Sequence, residues 1–446
     1  MAERLMAAED DGARPGIAAP AAGTATRAAG TAIPDAVPTG TATLAARAGT
    51  TSGSGIATEQ RVLDLVTGAE VRDLAVELVR AVGENPPGGE GPMAQVLAAA
   101  CRDRGLEVVL TEVAPDRPNV VARTPGGTGP SLLLLAHTDV VPVGEGWSVP
   151  PFAGQVVDGR LVGRGAADTK GNLAAAVVAM AALVRAGVRL TGPVELAAVV
   201  DEEETGLGVQ AYLADHAAPL AGCVVAEPTD LRTVAAARGD SYVRIHVTGR
   251  AAHAGSPADG VNAVAGAARV VTALGRWHGE LAAAAHPLVG PATVNVGEIH
   301  GGTGTSTVPA DCVVAVDRRL LPGESGADAL RELAARLDAL DLAGAGMGVR
   351  AEVVMEMPGF ETPVDAPLVR TAAAAVRDAG GPDLPVTGWS AACDGGYVAR
   401  ATGTDVVVLG AGSVTGQAHR PDESVALADL LTAARAYALC ALRTLG

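Results

Sequence analysis

The segment SLLLLAH at 131–137 constrains this chain most. An apolar run with no polar interruption is not a surface strand, whose side chains would alternate; it is expected of a strand buried on both faces of a parallel sheet. It also ends on a histidine. Two further runs repeat the theme: VELAAVV at 194–200 runs into Asp201-Glu202-Glu203-Glu204, and CVVAE at 223–227 ends on Glu227. Helical segments lie between them at 172–187 and 207–216. Strand, helix and strand in alternation predict a doubly wound, mostly parallel α/β sheet. In such sheets ligands gather beyond the carboxyl ends of the strands, where these polar residues stand.

The pattern changes near residue 237. SYVRIHVTG alternates apolar and polar residues, a helix is predicted over 260–278, strands over 292–299 and 311–319, and a helix over 326–339. This reads as an α+β domain inserted at 237–346 into a catalytic domain formed by 58–236 and 347–446. The catalytic domain opens with a helix over 59–83 and another over 91–104, and closes with helices over 367–379 and 425–444 around a strand at 405–409. Residues 1–57, rich in Ala, Gly, Thr, Pro and Ser without an apolar period, are expected to be a disordered leader; a cleavable peptide or a misplaced start fits equally. Apolar residues make up 48% of the chain and aromatics 2%, so Ala, Val, Leu and Gly must pack the core, which suits close helix–sheet contact.

A formal net charge of −17 argues against nucleic acid and anionic membrane as partners, since both attract Lys and Arg. The cysteines, 101, 223, 312, 393 and 440, are odd in number and widely spaced, the pattern of free thiols in a reducing cytoplasm. Neither a signal peptide nor a membrane span is expected.

The chemistry-bearing residues follow the strands. His137 and Asp139 sit two apart and share a face in extended chain, so Asp139 can orient His137 as a metal ligand; read alone, His137 is equally a polar strand end. Asp168, in GRGAADTKG, is a helix N-cap on its own or a carboxylate that bridges two cations. The four acids at 201–204 suit a solvated turn, or a division in which one carboxylate binds metal and a neighbour stays free as a general base. Glu227 and His419 add a carboxylate and an imidazole. Together these donors suit zinc, with cobalt or manganese as substitutes.

In order along the chain, H-x-D-x-V-P stands at 137–142, W…PF…DGRL-x-GRGA-x-D-x-KG at 147–171, D-E-E at 201–203, E-P-T at 227–229 and A-H-x-x-D-E at 418–423. With these motifs the chain, from about residue 60 onward, resembles the zinc peptidase and deacylase family of acetylornithine deacetylase, succinyl-diaminopimelate desuccinylase and glutamate carboxypeptidase. The resemblance implies two Zn2+ per chain, with Asp168 bridging, His137 and Glu227 completing one site, and Glu203 and His419 the other. It implies Glu202 as general base on metal-bound water and Asp139 as the residue orienting His137. GRAAHAGSPADGVNAV at 249–264 resembles the family's lid stretch, where His253 would reach an active site, often the partner subunit's, within a homodimer built through the inserted domain. DRRLLP at 317–322 resembles D-x-R-x-x-P, which implies Arg319 as a clamp on a substrate carboxylate and Arg318 as a solvated neighbour. AACDGG at 391–396 resembles the acetylornithine deacetylase branch, with Asp394 lining the pocket. Ser306 replaces a frequent Asn and would touch substrate; Ala411 replaces a frequent Pro and Thr169 a frequent Met. His216, His246, His278, His286 and His300 are expected to be structural or exposed. The implied activity is hydrolysis of the linear amide of an N-acyl amino acid. A carboxypeptidase or dipeptidase acting on a short peptide is the alternative on this scaffold, and a catalytically inactive, metal-stabilised binding protein is the alternative of another class.

Overall fold

Leu132, Leu134 and Ala136 face one apolar core and Leu133 and Leu135 another, so strand Ser131–His137 is covered on both sides. The computed structural model describes residues 53–446 apart from Ala217. Around this strand runs a nine-stranded sheet in the order Glu107–Ala114, Arg117–Arg123, Val194–Val199, Ser131–His137, Leu220–Val225, Val406–Val408, Val234–Ala237, Phe360–Glu361, with Thr387–Trp389 also paired to Val234–Ala237. The central strands Val194–Val199, Ser131–His137, Leu220–Val225 and Val406–Val408 are parallel, and antiparallel pairs flank them.

Small residues let the helices lie close. Lys170–Arg185 is buried from its first residue through Leu183, and Leu427–Leu445 packs along it. A Cβ added at Gly171 would stand 2.3 Å from the Ala166 carbonyl oxygen, so only glycine admits this approach. The helix expected over 59–83 is two: Gly53–Leu65 and Gly68–Arg80. They separate at Thr67, whose hydroxyl caps the second helix by accepting the Glu70 N–H at 3.3 Å. The first begins at Gly53, inside the stretch expected to be a leader; the rest of that expectation lies outside the described residues. No helix among the described residues is long and apolar enough to cross a membrane.

A second sheet, Thr293–Gly301, Asp311–Leu320, Gly239–Thr248 and Gly348–Met357 in that order, is wholly antiparallel. Helices Ala263–Leu281 and Gly326–Asp338 close its own apolar core, built on Val243, Ile245, Val314, Val316 and Trp277. This sheet runs past the boundary expected at 346, because Gly348–Met357 pairs with Gly239–Thr248 along its whole length. Arg318 is not solvated as expected. Alternation along Asp311–Leu320 sends it inward with Val316 and Leu320, where it stacks on Trp277, donates to Glu324 at 3.1 Å and is 1% exposed.

Candidate metal centre and cleft

Three adjacent parallel strands deliver the polar residues. Ser131–His137 ends on His137, Val194–Val199 leads into the acids at 201–204, and Leu220–Val225 leads to Glu227. Asp168 comes from the loop before Lys170–Arg185, and His419 from the loop before Leu427–Leu445. The geometry forms a chain. His137 Nε2 lies 3.1 Å from Asp168 Oδ1 and 3.4 Å from Glu227 Oε1. His419 Nε2 lies 3.4 Å from Asp168 Oδ2 and 3.1 Å from Glu203 Oε2. Each oxygen of one carboxylate thus faces a different imidazole, and Glu227 and Glu203 flank the two ends.

The four consecutive acids take separate positions. Asp201, in left-handed backbone at φ 67°, points inward and accepts from Asn85 Nδ2 at 3.0 Å and Arg117 Nη2 at 2.7 Å. Its carbonyl also receives the Thr205 and Gly206 N–H groups, which fixes the turn. Glu203 turns to His419, while Glu202 and the exposed Glu204 line the cleft. The Glu202 carboxylate is hydrogen-bonded to no described residue.

Buried groups hold these side chains. Asp139 does more than orient His137. Its backbone carbonyl lies 2.9 Å from His137 Nδ1, while its carboxylate accepts from Asn85 Nδ2 at 3.0 Å, the Glu202 N–H at 3.3 Å and the Glu203 N–H at 3.2 Å. Glu423 pins the loop of Asp168, accepting the Ala167 and Asp168 N–H groups at 2.9 and 3.0 Å and Arg164 Nη1 at 2.7 Å. The Ala411 N–H, which a proline would lack, donates to Asn172 Oδ1 at 2.7 Å. Thr169 donates to the Ala226 carbonyl.

The electrostatics describe a site short of positive charge. Burial and the neighbouring carboxylates push Glu202 and Glu227 well above the usual carboxylate range, against the pull of His137. Burial also raises Glu203, only partly offset by His419. His419, hydrogen-bonded to Asp168 and Glu203, is raised to about 10. Burial opposes protonation of His137, yet Glu227, Asp139 and Asp168 hold it well above the usual histidine range. Glu203 Oε1 is buried without a partner. Crowded carboxylates, an orphaned oxygen and two imidazoles already held by oxygen form a donor set that fits divalent cations. Among the described residues, His137, Asp168 and Glu203 form a group whose ligand atoms all lie within 4.8 Å of one another.

A cavity of about 250 Å³ opens between this cluster and the second sheet. Arg319 lines it from the far wall, its Nε and Nη2 on Asp317 at 3.0 and 2.9 Å and its Nη2 3.2 Å from Asp240. Burial and Asp317 lift the Asp240 carboxyl to about 7, Arg319 opposing. Asp394 lies behind the cluster, near enough for its charge to raise Glu202. It does not line the cavity: it is buried with neither carboxylate oxygen partnered, and burial lifts it to about 8. Its place as the residue before helix Gly395–Thr402 turns it into the core beside Tyr397. His253 and Ser306 are exposed on a short ribbon, where Ala254 N–H donates to the Ser306 carbonyl at 2.9 Å, and neither lines the cavity. His216, by contrast, is buried against Glu195 at 3.3 Å.

Sequence reasoning passed over Asn85, Arg117, Asp240 and the anchoring by Glu423. For Glu423 there was a signal, its place in A-H-x-x-D-E, and for Asp240 the parity it shares with Tyr242 on one strand.

Comparisons with known proteins show the family and the fold. Residues 133–443 match the family described as Peptidase family M20/M25/M40. An acetylornithine deacetylase from Aliivibrio fischeri is 31% identical over 345 residues, covering 76% of this chain and 87% of its own. A crystal structure of an M20 family metallo-carboxypeptidase, Sso-CP2 from Sulfolobus solfataricus, superposes with a TM-score of 0.73 at 19% identity, over 84% of this chain and 99% of that one. A dinuclear metal-binding peptidase of the M20 family from Bacillus subtilis superposes with a TM-score of 0.63 at 16% identity, over 87% and 99%.

Proposed function

The chain belongs to peptidase family M20/M25/M40 and is a metal-dependent amide hydrolase or peptidase, and from that premise we propose that it removes the acyl group of an N-acyl amino acid at a dinuclear zinc site. The observation that carries the dinuclear reading is Asp168, whose two oxygens each face a different imidazole. His137, Glu227 and Asp168 would hold one ion, and Glu203, His419 and Asp168 the other. When bound, such ions supply Lewis acidity that polarises the amide carbonyl and acidifies water at neutral pH.

The chain's own residues do the rest. Glu202 stands at the cleft with a free carboxylate, takes the proton of the attacking water on a carboxylate oxygen, and passes it to the departing amine nitrogen. Its raised proton affinity, due to burial and its acid neighbours, suits a group that must hold that proton between the two transfers. Asp139 keeps Glu202 and Glu203 in register through their backbone N–H groups. Arg319, on the far wall, grips the substrate's carboxylate and so orients it. The second sheet would pair with that of a second copy, and His253, exposed on its ribbon, would donate across that interface. A free base at the mouth favours hydrolysis over the metal-stabilised binding protein, which has no use for one.

The test is a panel of N-acetyl, N-succinyl and N-formyl amino acids and dipeptides on protein stripped by a chelator and reloaded with zinc, cobalt or manganese. The expected result is cleavage of an N-acyl amino acid that vanishes on stripping and returns with about two equivalents of metal. Preferential cleavage of dipeptides would replace this reading with a dipeptidase, and turnover unaffected by stripping would overturn it.

A further inference from the structure

The chain holds seven methionines, three tryptophans and four tyrosines in 446 residues, yet Met355, Met357, Trp389 and Tyr242 all line the one cavity that faces the metal cluster. Composition alone would not gather them there. A single irregularity in the second sheet does much of it. Along Gly348–Met357 the even-numbered residues Arg350 and Glu352 stand opposite His246 and Arg244, on the face that Tyr242 and Asp240 continue. A bulge then follows: Val353 pairs with Val243 but Met355 with Tyr242, so Val354 is the extra residue. Beyond it the odd-numbered residues take that face, and Met355 and Met357 reach the cleft. Had the alternation run on, Val354 and the Glu356 carboxylate would stand in their places. Glu356 is instead turned away to Arg400, and Val354 is 47% exposed.

The apolar wall is continuous with the core of the catalytic domain. Met357 belongs to the buried cluster that includes Phe360, Val406 and Val408, and Met355, Trp389 and Ala392 pack against that cluster from the cleft side. The polar residues that line the cavity have other work in the proposed reaction: Asp168, Glu203, Glu227 and His419 as metal ligands, Glu202 as base, and Arg319, which Asp240 and Asp317 hold, as the carboxylate clamp. Glu204, exposed at the rim, is the remaining charge among them.

We propose that this wall is an apolar specificity subsite, and that the preferred substrate carries an unbranched or flexible apolar group. This rests on the reading of the site as an N-acyl amino acid hydrolase. With the carboxylate on Arg319 and the amide at the metal cluster, the substrate has two free ends, its side chain and its acyl chain. Met357 stands two strands from Arg319, about 10 Å away, within reach of either. Methionine is flexible and polarisable, so the wall can mould itself to apolar chains of differing length.

The experiment measures kcat/KM on the zinc-loaded protein in two arms. The side-chain arm takes Nα-acetyl-L-alanine, -norvaline and -norleucine, with -ornithine and -glutamine as polar counterparts. The acyl arm takes N-acetyl-, N-butyryl- and N-hexanoyl-L-alanine, with N-succinyl-L-alanine as the charged counterpart. In the arm whose group enters the subsite, kcat/KM should rise about fourfold for each methylene taken out of water, roughly 60-fold from alanine to norleucine. The polar counterparts should fall about tenfold or more below the apolar chain of similar length. Met355→Gln should cut that rise about threefold or more, whereas Met355→Leu, of like volume and still apolar, should keep it, with metal content unchanged in both. Val414→Thr, an isosteric change in a loop on the same cavity, serves as the second polar variant should Met355→Gln fail to fold. The side-chain series is repeated as Ala-Xaa dipeptides and, by calorimetry, as free amino acids. A rise there without deacylation would sink the hydrolase reading and leave the subsite standing. Series that are flat in every form, ornithine equal to or above norleucine, or a rise indifferent to the polar variants would overturn the subsite.

Discussion

Replacing Asp139 with asparagine should loosen the metal centre without touching a single proposed ligand. The carboxylate is fully buried, and its two oxygens serve different sets of donors. Oδ1 faces the Glu202 N–H at 3.3 Å and His137 Nδ1 at 3.5 Å; Oδ2 faces Asn85 Nδ2 at 3.0 Å and the Glu203 N–H at 3.2 Å. Asparagine keeps one acceptor and converts the other into an NH2. In either orientation two donors then point at a donor. At about 1.5–3 kcal/mol for each hydrogen bond to a charged group, the local loss is about 3–6 kcal/mol before relaxation.

Part of that loss returns as the 201–204 turn shifts, and the shift is what function registers, because Glu202 and Glu203 ride on it. Changes behind a ligand typically cost about 10–100-fold in metal affinity, and Asp139→Asn is expected in that range. The assay is zinc affinity by competition with a chromogenic chelator, paired with kcat at saturating zinc. Both should fall, kcat because the base has moved even when the site is full. Zinc affinity and kcat both within about threefold of wild type would refute the reasoning, and would mean that the Asp139 backbone carbonyl on His137 suffices.

Glu202→Gln should retain metal and lose about 10²–10⁴-fold in rate, whereas Glu203→Gln should weaken one metal site; reversed phenotypes would shift the assignment by a residue. Zinc binding at pH 8 should release protons, seen as a dependence of calorimetric heat on buffer, because His419 is raised to about 10 and must be neutral to bind. The sign is set by that elevation: below the ordinary value of 6.5 the metal-free protein gains the full benefit of protonated His419 beside Asp168 and Glu203, and it loses this as pH rises through 10, where the His419 share of proton release should also cease. Mixing His253→Ala with Glu202→Gln chains, each inactive alone, should restore activity in hybrid dimers if His253 acts across an interface; inactive hybrids, or a monomeric protein, would remove that role.

The sheet and its donors were legible because both signals are local. An uninterrupted apolar run that stops at a histidine or an acid announces a buried strand and its polar end in a few residues, as at 131–137 and 223–227. The groups that hold the donors were not, since their partners are far away in the chain. Asn85 reaches Asp139 and Asp201, 54 and 116 residues on, and Glu423 reaches back 255 residues to the Asp168 N–H. For Asp394, resemblance carries a residue type into a motif without its direction: here the residue turns inward before a helix and acts on Glu202 through its charge from behind the cavity wall. Arg318 is different. Its parity with Val316 and Leu320 was in the sequence, but a positive charge suggested solvent, and the ring of Trp277, the Glu324 carboxylate and the Arg319 carbonyl make its burial tolerable.

The cleft therefore draws on two architectures with separate tolerances. The proposed metal and base residues stand at the ends of parallel strands and on the loops that carry Asp168 and His419, braced by buried carboxylates such as Asp139 and Glu423, so small displacements there would reach the chemistry directly. The opposite wall is an antiparallel face whose side chains stand in register, with a bulge between Val353 and Met355 on its outer strand. Arg319 shows the arrangement: its strand is held by Arg318 and the valines beneath, while its own head meets Asp317 and Asp240. A change on this face alters which substrate is admitted, and a change at the strand ends alters whether anything is cleaved. Selectivity and turnover should accordingly separate by layer, with substitutions at Met355 moving the ratio of kcat/KM values between substrates and those at Asp139 or Glu423 lowering all of them together.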